Sequence, residues 1–445
     1  MVKGKYKSLL TDSALYGLGI FLMKGISLIM LPVYTNYLSP TDYGRLEVLV
    51  ILANVLSIFI GFGLVEALCR FVGLASNQDD KKRYAGECLL LALVIALVSY
   101  FFFAYFSFEI ASLLPGNISS EEFHLLAIAL AIGGLINIPL AWLRITERAF
   151  LFFQVTMLKV VLQVALTCYW LWQGWGMNSI LAAGAVSAVV VAVLLCVIQI
   201  KETGLAFSAN NLQNIAKYSA PILIGGVATF ALSGMDRWIL AEHFGAKQIA
   251  AYAIAIKFAL VPTLLIQPFT LWWYPKRFSV LKEQDGIKAN AHFAMLGAII
   301  AVLICGLLGL VGPMLIHFLT PSEFHSASVF LPWLLLCTLF KLIAELLNLG
   351  CYVDKNSQVQ MHINLVSCAI GACLLVLLVP KFMVIGAVAS LLVANFLRMT
   401  LFFYYSQKRI YLPYKYGYLS SAFVVTFVAF CLGQYSEDLL WLAMS

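Results

Sequence analysis

Apolar runs about 20 residues long recur along the whole chain, separated by short polar stretches. Their length predicts membrane-crossing helices, since ~20 apolar residues span a bilayer core. The first six fall at roughly 14–37, 46–69, 87–106, 124–143, 149–172 and 178–200. Six more fall at 218–244, 248–272, 291–318, 327–349, 359–379 and 385–406, and a thirteenth at about 416–434. The tail SEDLLWLAMS is too short to cross again. A shift of 206 residues lays the second set on the first. Ser13-Ala14 then falls on Ser219-Ala220, and the fourth to sixth runs become 330–349, 355–378 and 384–406. Internal repeats of this kind mark many secondary transporters. Six spans is an even number, so both halves start on the same side of the membrane and are parallel repeats. The expected fold is an all-α polytopic membrane protein. Its parts are a six-helix lobe over 1–206, a second over 207–410, and an extra C-terminal helix with its tail over 411–445.

Composition agrees: 62% of residues are hydrophobic, 11% are charged, and mean hydropathy is +0.95. Soluble domains carry about 25% charged residues. The net charge of +7 is then a topology signal and needs no nucleic-acid partner. The opening segment exceeds a signal-peptide core and lacks a small-residue cleavage site, so it reads as a retained first span. Ten cysteines lie mostly inside apolar runs and form no C-x-x-C, which indicates neither a zinc site nor a disulfide framework. Asn117-Ile118-Ser119 matches a glycosylation acceptor and reads as a chance match. With the N-terminus inside, the inner segments hold 19 Lys and Arg and the outer loops only Arg45, Lys247 and Lys381. That bias sets a cytoplasmic N-terminus.

Six basic residues remain, all within spans: Lys24, Lys159, Arg237, Lys257, Lys341 and Arg398. Glu47, Glu66, Asp236 and Glu345 are acids in or at the edge of spans. A charge at membrane depth costs ~2.5–3.5 kcal/mol on insertion scales, so each asks for a reason. Glu66 with Arg70 and Lys341 with Glu345 stand at helical i,i+4 spacing and read as self-neutralised pairs. Asp236 and Arg237 are adjacent, ~100° apart on a helix, and should not simply cancel. Lys24, Lys159, Lys257 and Arg398 have no acid three or four residues away. Local pairing and snorkelling are one account of these charges. An aqueous cavity with excess positive charge is the other, and it explains the mid-span Lys24 and Lys159 better. Prolines 32, 139, 221, 262, 268, 313 and 332 should kink their helices. His317 and His325 flank an outer loop without a clear role.

Enzyme motifs are missing. There is no G-x-x-x-x-G-K-[ST], H-E-x-x-H or G-x-S-x-G, and the longest outer loop, about 107–123, is too short for a catalytic domain. The stretch SALYGLGIFLMKGISLIMLPVYTNYLSPTDYG at 13–44 closes on L-P-x-Y-T-x-Y-L-S-P-x-D-Y-G. It resembles the first span of the O-antigen and polysaccharide repeat-unit flippases of the multidrug/oligosaccharidyl-lipid/polysaccharide exporter superfamily. SGMDRWILAEHFG at 233–245 is similar to their seventh. An even span count is usual in that family, and the thirteen runs here depart from it.

The resemblance implies two lobes in a V around a central cavity and an undecaprenyl-diphosphate-linked sugar unit as cargo. The site set it suggests is Lys24, Lys159, Arg237, Lys257, Lys341 and Arg398 for the substrate. Asp236, Glu66 and Glu345 are the set for ion coupling. No cofactor is expected beyond a coupling cation, H+ or Na+, and no metal. Membrane lipids, a polysaccharide polymerase and a chain-length regulator are the implied partners. The expected location is the bacterial cytoplasmic (inner) membrane, as a multi-pass protein. A multidrug cation exporter of the same superfamily is the runner-up, but it calls for an acidic cavity. A lipid scramblase or an assembly scaffold is the alternative of another class.

Overall fold

The computed structural model describes residues 25–75, 77–230, 234–274, 276–352 and 358–415, with single positions at 417, 420, 423, 424 and 428. Every regular element among them is helical, and contacts group the chain into two compact units, 1–230 and 231–445. The first unit holds α1 (Leu31–Tyr37), α2 (Pro40–Gly61), α3 (Leu64–Leu74), α4 (Gln78–Tyr105) and α5 (Ser107–Leu113). It continues with α6 (Ser120–Ile145), α7 (Ala149–Trp172), α8 (Met177–Thr203) and α9 (Ala209–Phe230). The second holds α10 (Met235–Phe244), α11 (Ala246–Ala259), α12 (Val261–Trp273) and α13 (Arg277–Val280). After these come α14 (Gly286–Leu319), α15 (Ala327–Leu346) and α16 (Gln358–Arg409). Nine stretches among the described residues are long and apolar enough to cross a membrane. They cover the second to sixth and the eighth to twelfth predicted runs, with the eleventh and twelfth merged. Residues 14–24 of the first run and most of the thirteenth lie outside the described residues.

The motif that closes the first run is a helix start. Ser39 caps α2 by accepting the Asp42 amide at 3.1 Å, and Pro40 takes the first turn, where no backbone donor is needed. Tyr43 is fully buried. Arg45 donates to both carboxylate oxygens of Glu122 (2.8 and 2.6 Å) and to the Asn117 carbonyl at 3.1 Å. These bonds tie α2 to the first turn of α6 and to the loop before it. Ser119 and Glu122 form a capping box there. The glycosylation-like triplet is thus a helix cap.

Several predicted spans are not single helices. The second breaks at Phe62 and Gly63, both left-handed (φ 45° and 63°), which places Glu66 in the first turn of α3. The seventh is described as α9 and α10, with Gly234 non-helical at φ −161°, ψ −16°. Pro262 sits in the first turn of α12, and Leu260 joins α11 to α12 with helical dihedrals (φ −81°, ψ −17°), so the eighth span is kinked there as expected. Pro139, Pro313 and Pro332 lie inside helices.

The last two predicted spans run on as α16, whose one non-helical residue is Met383 (φ 52°, ψ −130°). Arg398 Nε donates to Asn364 Oδ1 at 2.9 Å. A straight helix would put those residues ~51 Å apart at 1.5 Å rise per residue. The chain therefore reverses at Met383, and the two arms pack as a hairpin. At that reversal a Cβ on Gly386 would collide with the Leu378 carbonyl, so glycine lets the arms close.

Small residues let helices approach in the second unit. On α14, Ala291, Ala294, Ala298, Ala301 and Cys305 are buried in a core shared with Leu339, Leu342 and Leu346 of α15. Past α15, the Gly350 amide donates to the Ser406 hydroxyl at 2.9 Å, and a Cβ there would run into the Ser406 backbone. Gly350→Ala should lower stability by about 1–3 kcal/mol through overpacking. Thermal unfolding of the purified protein would show it, and an unchanged transition would refute the contact.

Candidate functional site

The described residues bring the sequence candidates into different surroundings. Lys24 lies outside them. On α7, Lys159 is half-buried within the span, and no side chain pairs with it among the described residues. Glu66 is exposed and makes no ion pair with Arg70 there. Arg70 instead lays its guanidinium over the Tyr218 ring of α9, 4.4 Å from the centroid. A cation over an aromatic face gains ~0.5–2 kcal/mol, enough to win against an exposed pair worth ~0–1 kcal/mol.

In the second unit, α10 and α11 hold a buried charged group. Asp236 is only 3% exposed, in the first turn of α10, where the helix N-terminus favours a carboxylate. Tyr252 of α11, fully buried, donates its hydroxyl to Asp236 Oδ2 at 2.6 Å. Arg237 Nε stands 4.0 Å from Asp236 Oδ1, at the limit of an ion pair, with its side chain 12% exposed. Tyr252 gives the carboxylate its hydrogen bond, and Arg237 stands beside it at the outer limit of an ion pair.

Lys257 sits half-buried in the last turn of α11, the cation-favouring end of a helix. On α15, Lys341 is exposed and Glu345 half-buried, and no ion pair joins them among the described residues, against the i,i+4 expectation. Exposed lysines lose side-chain entropy on pairing, which cancels much of the gain. Arg398 is held by Asn364 and lies over the Phe402 ring at 5.4 Å. Sequence reasoning missed Tyr252, Asn364 and Glu87. Glu87 is fully buried on α4 and accepts from Asn211 of α9 at 3.0 Å, with Arg83 3.7 Å away. The Arg83–Glu87 spacing was a usable signal, whereas the cross-helix partners had none. No cluster of three metal-ligating side chains is found among the described residues.

Charges buried in discontinuous spanning helices, on an all-helical fold, are features of a class of multi-pass transporters and flippases. Solved structures of that class share the fold. "Lipid II flippase MurJ, inward closed conformation" aligns with a TM-score of 0.71 at 12% identity, covering 96% of this chain and 100% of that one. An inward-facing multidrug resistance MATE family transporter of the MOP superfamily gives 0.65 at 15%, covering 92% and 98%. A mutant of the Vibrio cholerae MATE transporter VcmN gives 0.60 at 15%, covering 90% and 96%. Residues 33–305 match the family described as "Polysaccharide biosynthesis protein", and the chain belongs to that family. No curated protein matches it. Together these place the chain in the polysaccharide biosynthesis family, on the fold that those solved transporters and flippases share. The resemblance read from the 13–44 and 233–245 stretches holds at that level.

Proposed function

We propose that the protein carries an undecaprenyl-diphosphate-linked oligosaccharide from the inner to the outer leaflet of the bacterial cytoplasmic membrane. The oligosaccharide is the repeat unit of O-antigen or another surface polysaccharide. An H+ or Na+ gradient drives the step, with Asp236 as the cation site. The match of 33–305 to the polysaccharide biosynthesis family carries this reading. The charge balance supports it, because a dianionic diphosphate needs cations to leave the headgroup region, and Lys159, Arg237, Lys257 and Arg398 lie half-buried within spans. Reconstitution tests it: gradient-dependent movement of a lipid-linked oligosaccharide across liposomes supports the reading, and movement without a gradient points to a scramblase. The Asp236–Tyr252 pair favours a second reading, a cation exporter like the MATE neighbours. Efflux of an organic cation from the same liposomes, with no lipid transport, would establish that reading.

The proposed topology puts the N-terminus, Asp80, Asp285 and Lys408 in the cytoplasm and Asn117 and Pro321 outside. Single cysteines in a cysteine-free background should label with an impermeant reagent at 117 and 321 in intact cells. Labelling at 285 would overturn the orientation.

A further inference from the structure

Among the described residues of the second unit, Arg277 is a buried cation with no carboxylate at ion-pair distance, and it lies outside the sequence-derived site. Arg277, at the start of α13, is 8% exposed. Its guanidinium carbon stands 4.8 Å from the Tyr274 ring centroid, 5.0 Å from Phe278 and 5.0 Å from Tyr352. Nη1 donates to Asn348 Oδ1 at 3.0 Å. No carboxylate lies within ion-pair distance among the described residues. Arg277 Nε and the Tyr274 hydroxyl are both buried without a hydrogen-bond partner. Burial pushes the Arg277 guanidinium below its usual value, while Tyr274 and Tyr352 pull it back up.

Three aromatic faces replace part of the lost hydration of a cation. They cannot satisfy an N–H donor, and a buried donor left unmade costs ~1–3 kcal/mol. Two such donors beside a guanidinium with no carboxylate at ion-pair distance match the needs of an oxyanion, with the Glu345 carboxylate of α15 acting on Tyr274 from farther off. The Arg277 cluster lies past the ends of α12 and α15, at an end of the unit rich in Lys276, Lys282, Lys288, Lys408 and Arg409. In a membrane protein such an end sits at headgroup depth, where phosphate is the abundant anion. We infer that Arg277 Nε and the Tyr274 hydroxyl bind a phosphate group, from a lipid headgroup or from solution. The inference does not need the transport reading, since the site would take phosphate whatever the cargo.

The competing role is a staple, in which Arg277 only joins α13 to the turn at 348–352. Tyr274→Phe separates the two, because it keeps the ring under the guanidinium and removes only the hydroxyl. Arg277→Lys keeps the charge and removes Nε and the planar fork. The full-length protein would be titrated with inorganic phosphate in detergent. In parallel it would be placed in phosphatidylcholine nanodiscs with and without phosphatidylglycerol, and retained lipid would be counted by native mass spectrometry. The wild type should bind at least one probe, and each variant should bind it about tenfold more weakly, as the loss of one charge-assisted bond implies. Binding of the inorganic ion identifies a soluble source, and retention of either phospholipid without binding of the inorganic ion identifies a lipid headgroup. Wild type binding neither probe, or both variants binding as the wild type does, would overturn the site.

Discussion

Arg237→Ala leaves the protein in the membrane at wild-type abundance and cuts surface-glycan export tenfold or more, with lipid-linked units held on the inner leaflet. The expectation rests on the geometry of α10. Tyr252 already satisfies Asp236 at 2.6 Å, while Arg237 lies 4.0 Å from the same carboxylate. Removing the guanidinium leaves the Tyr252 bond to Asp236 in place. A charge-assisted bond to phosphate is worth about 1.5–3 kcal/mol, and each 1.4 kcal/mol is a factor of ten. Arg237→Lys should fall between, since an ammonium keeps the charge but loses the two-pronged contact. Normal glycan export by Arg237→Ala at normal abundance would end the case for a phosphate contact there.

Asp236→Asn is expected to express normally and to lose gradient-driven transport by an order of magnitude. Asparagine keeps the shape and an oxygen that accepts from Tyr252, so the α10–α11 contact survives while the charge does not. Tyr252→Phe keeps the charge and removes its donor, at a cost of ~1–3 kcal/mol for the group left unsatisfied. It should retain gradient dependence with lower stability. Measuring transport against imposed H+ and Na+ gradients separates the two variants. If Asp236→Asn and Glu66→Gln both keep the wild-type ion dependence, neither carboxylate is the coupling site.

The spans were legible because lipid demands a long apolar run, and that demand is local in sequence. Breaks were less so. Pro262 announced the kink beside Leu260, but the break at Phe62 carries no strong local signal. The motif at 37–45 was readable as a pattern, and its work as a cap and an Arg45–Glu122 tie needed Asn117 and Glu122, more than 70 residues away. Spacing rules misled at Glu66–Arg70 and Lys341–Glu345. They count neighbours on one helix and ignore a ring such as Tyr218 offered by another. The partner of Asp236, 16 residues on, depends on how α10 meets α11, which no period in the sequence encodes.

The reversal at Met383 bears on how the chain enters the membrane during synthesis. Arg398 alone in lipid would cost ~2.5–3.5 kcal/mol, and its donor finds Asn364 only when both arms are present. The first arm, with Asn364, leaves the ribosome before Arg398 does. It must therefore wait beside the translocon until the second arrives, and the pair then partitions into lipid as one hairpin. An epitope inserted between Lys381 and Gly386 would hold the arms apart and send the product to quality-control proteolysis.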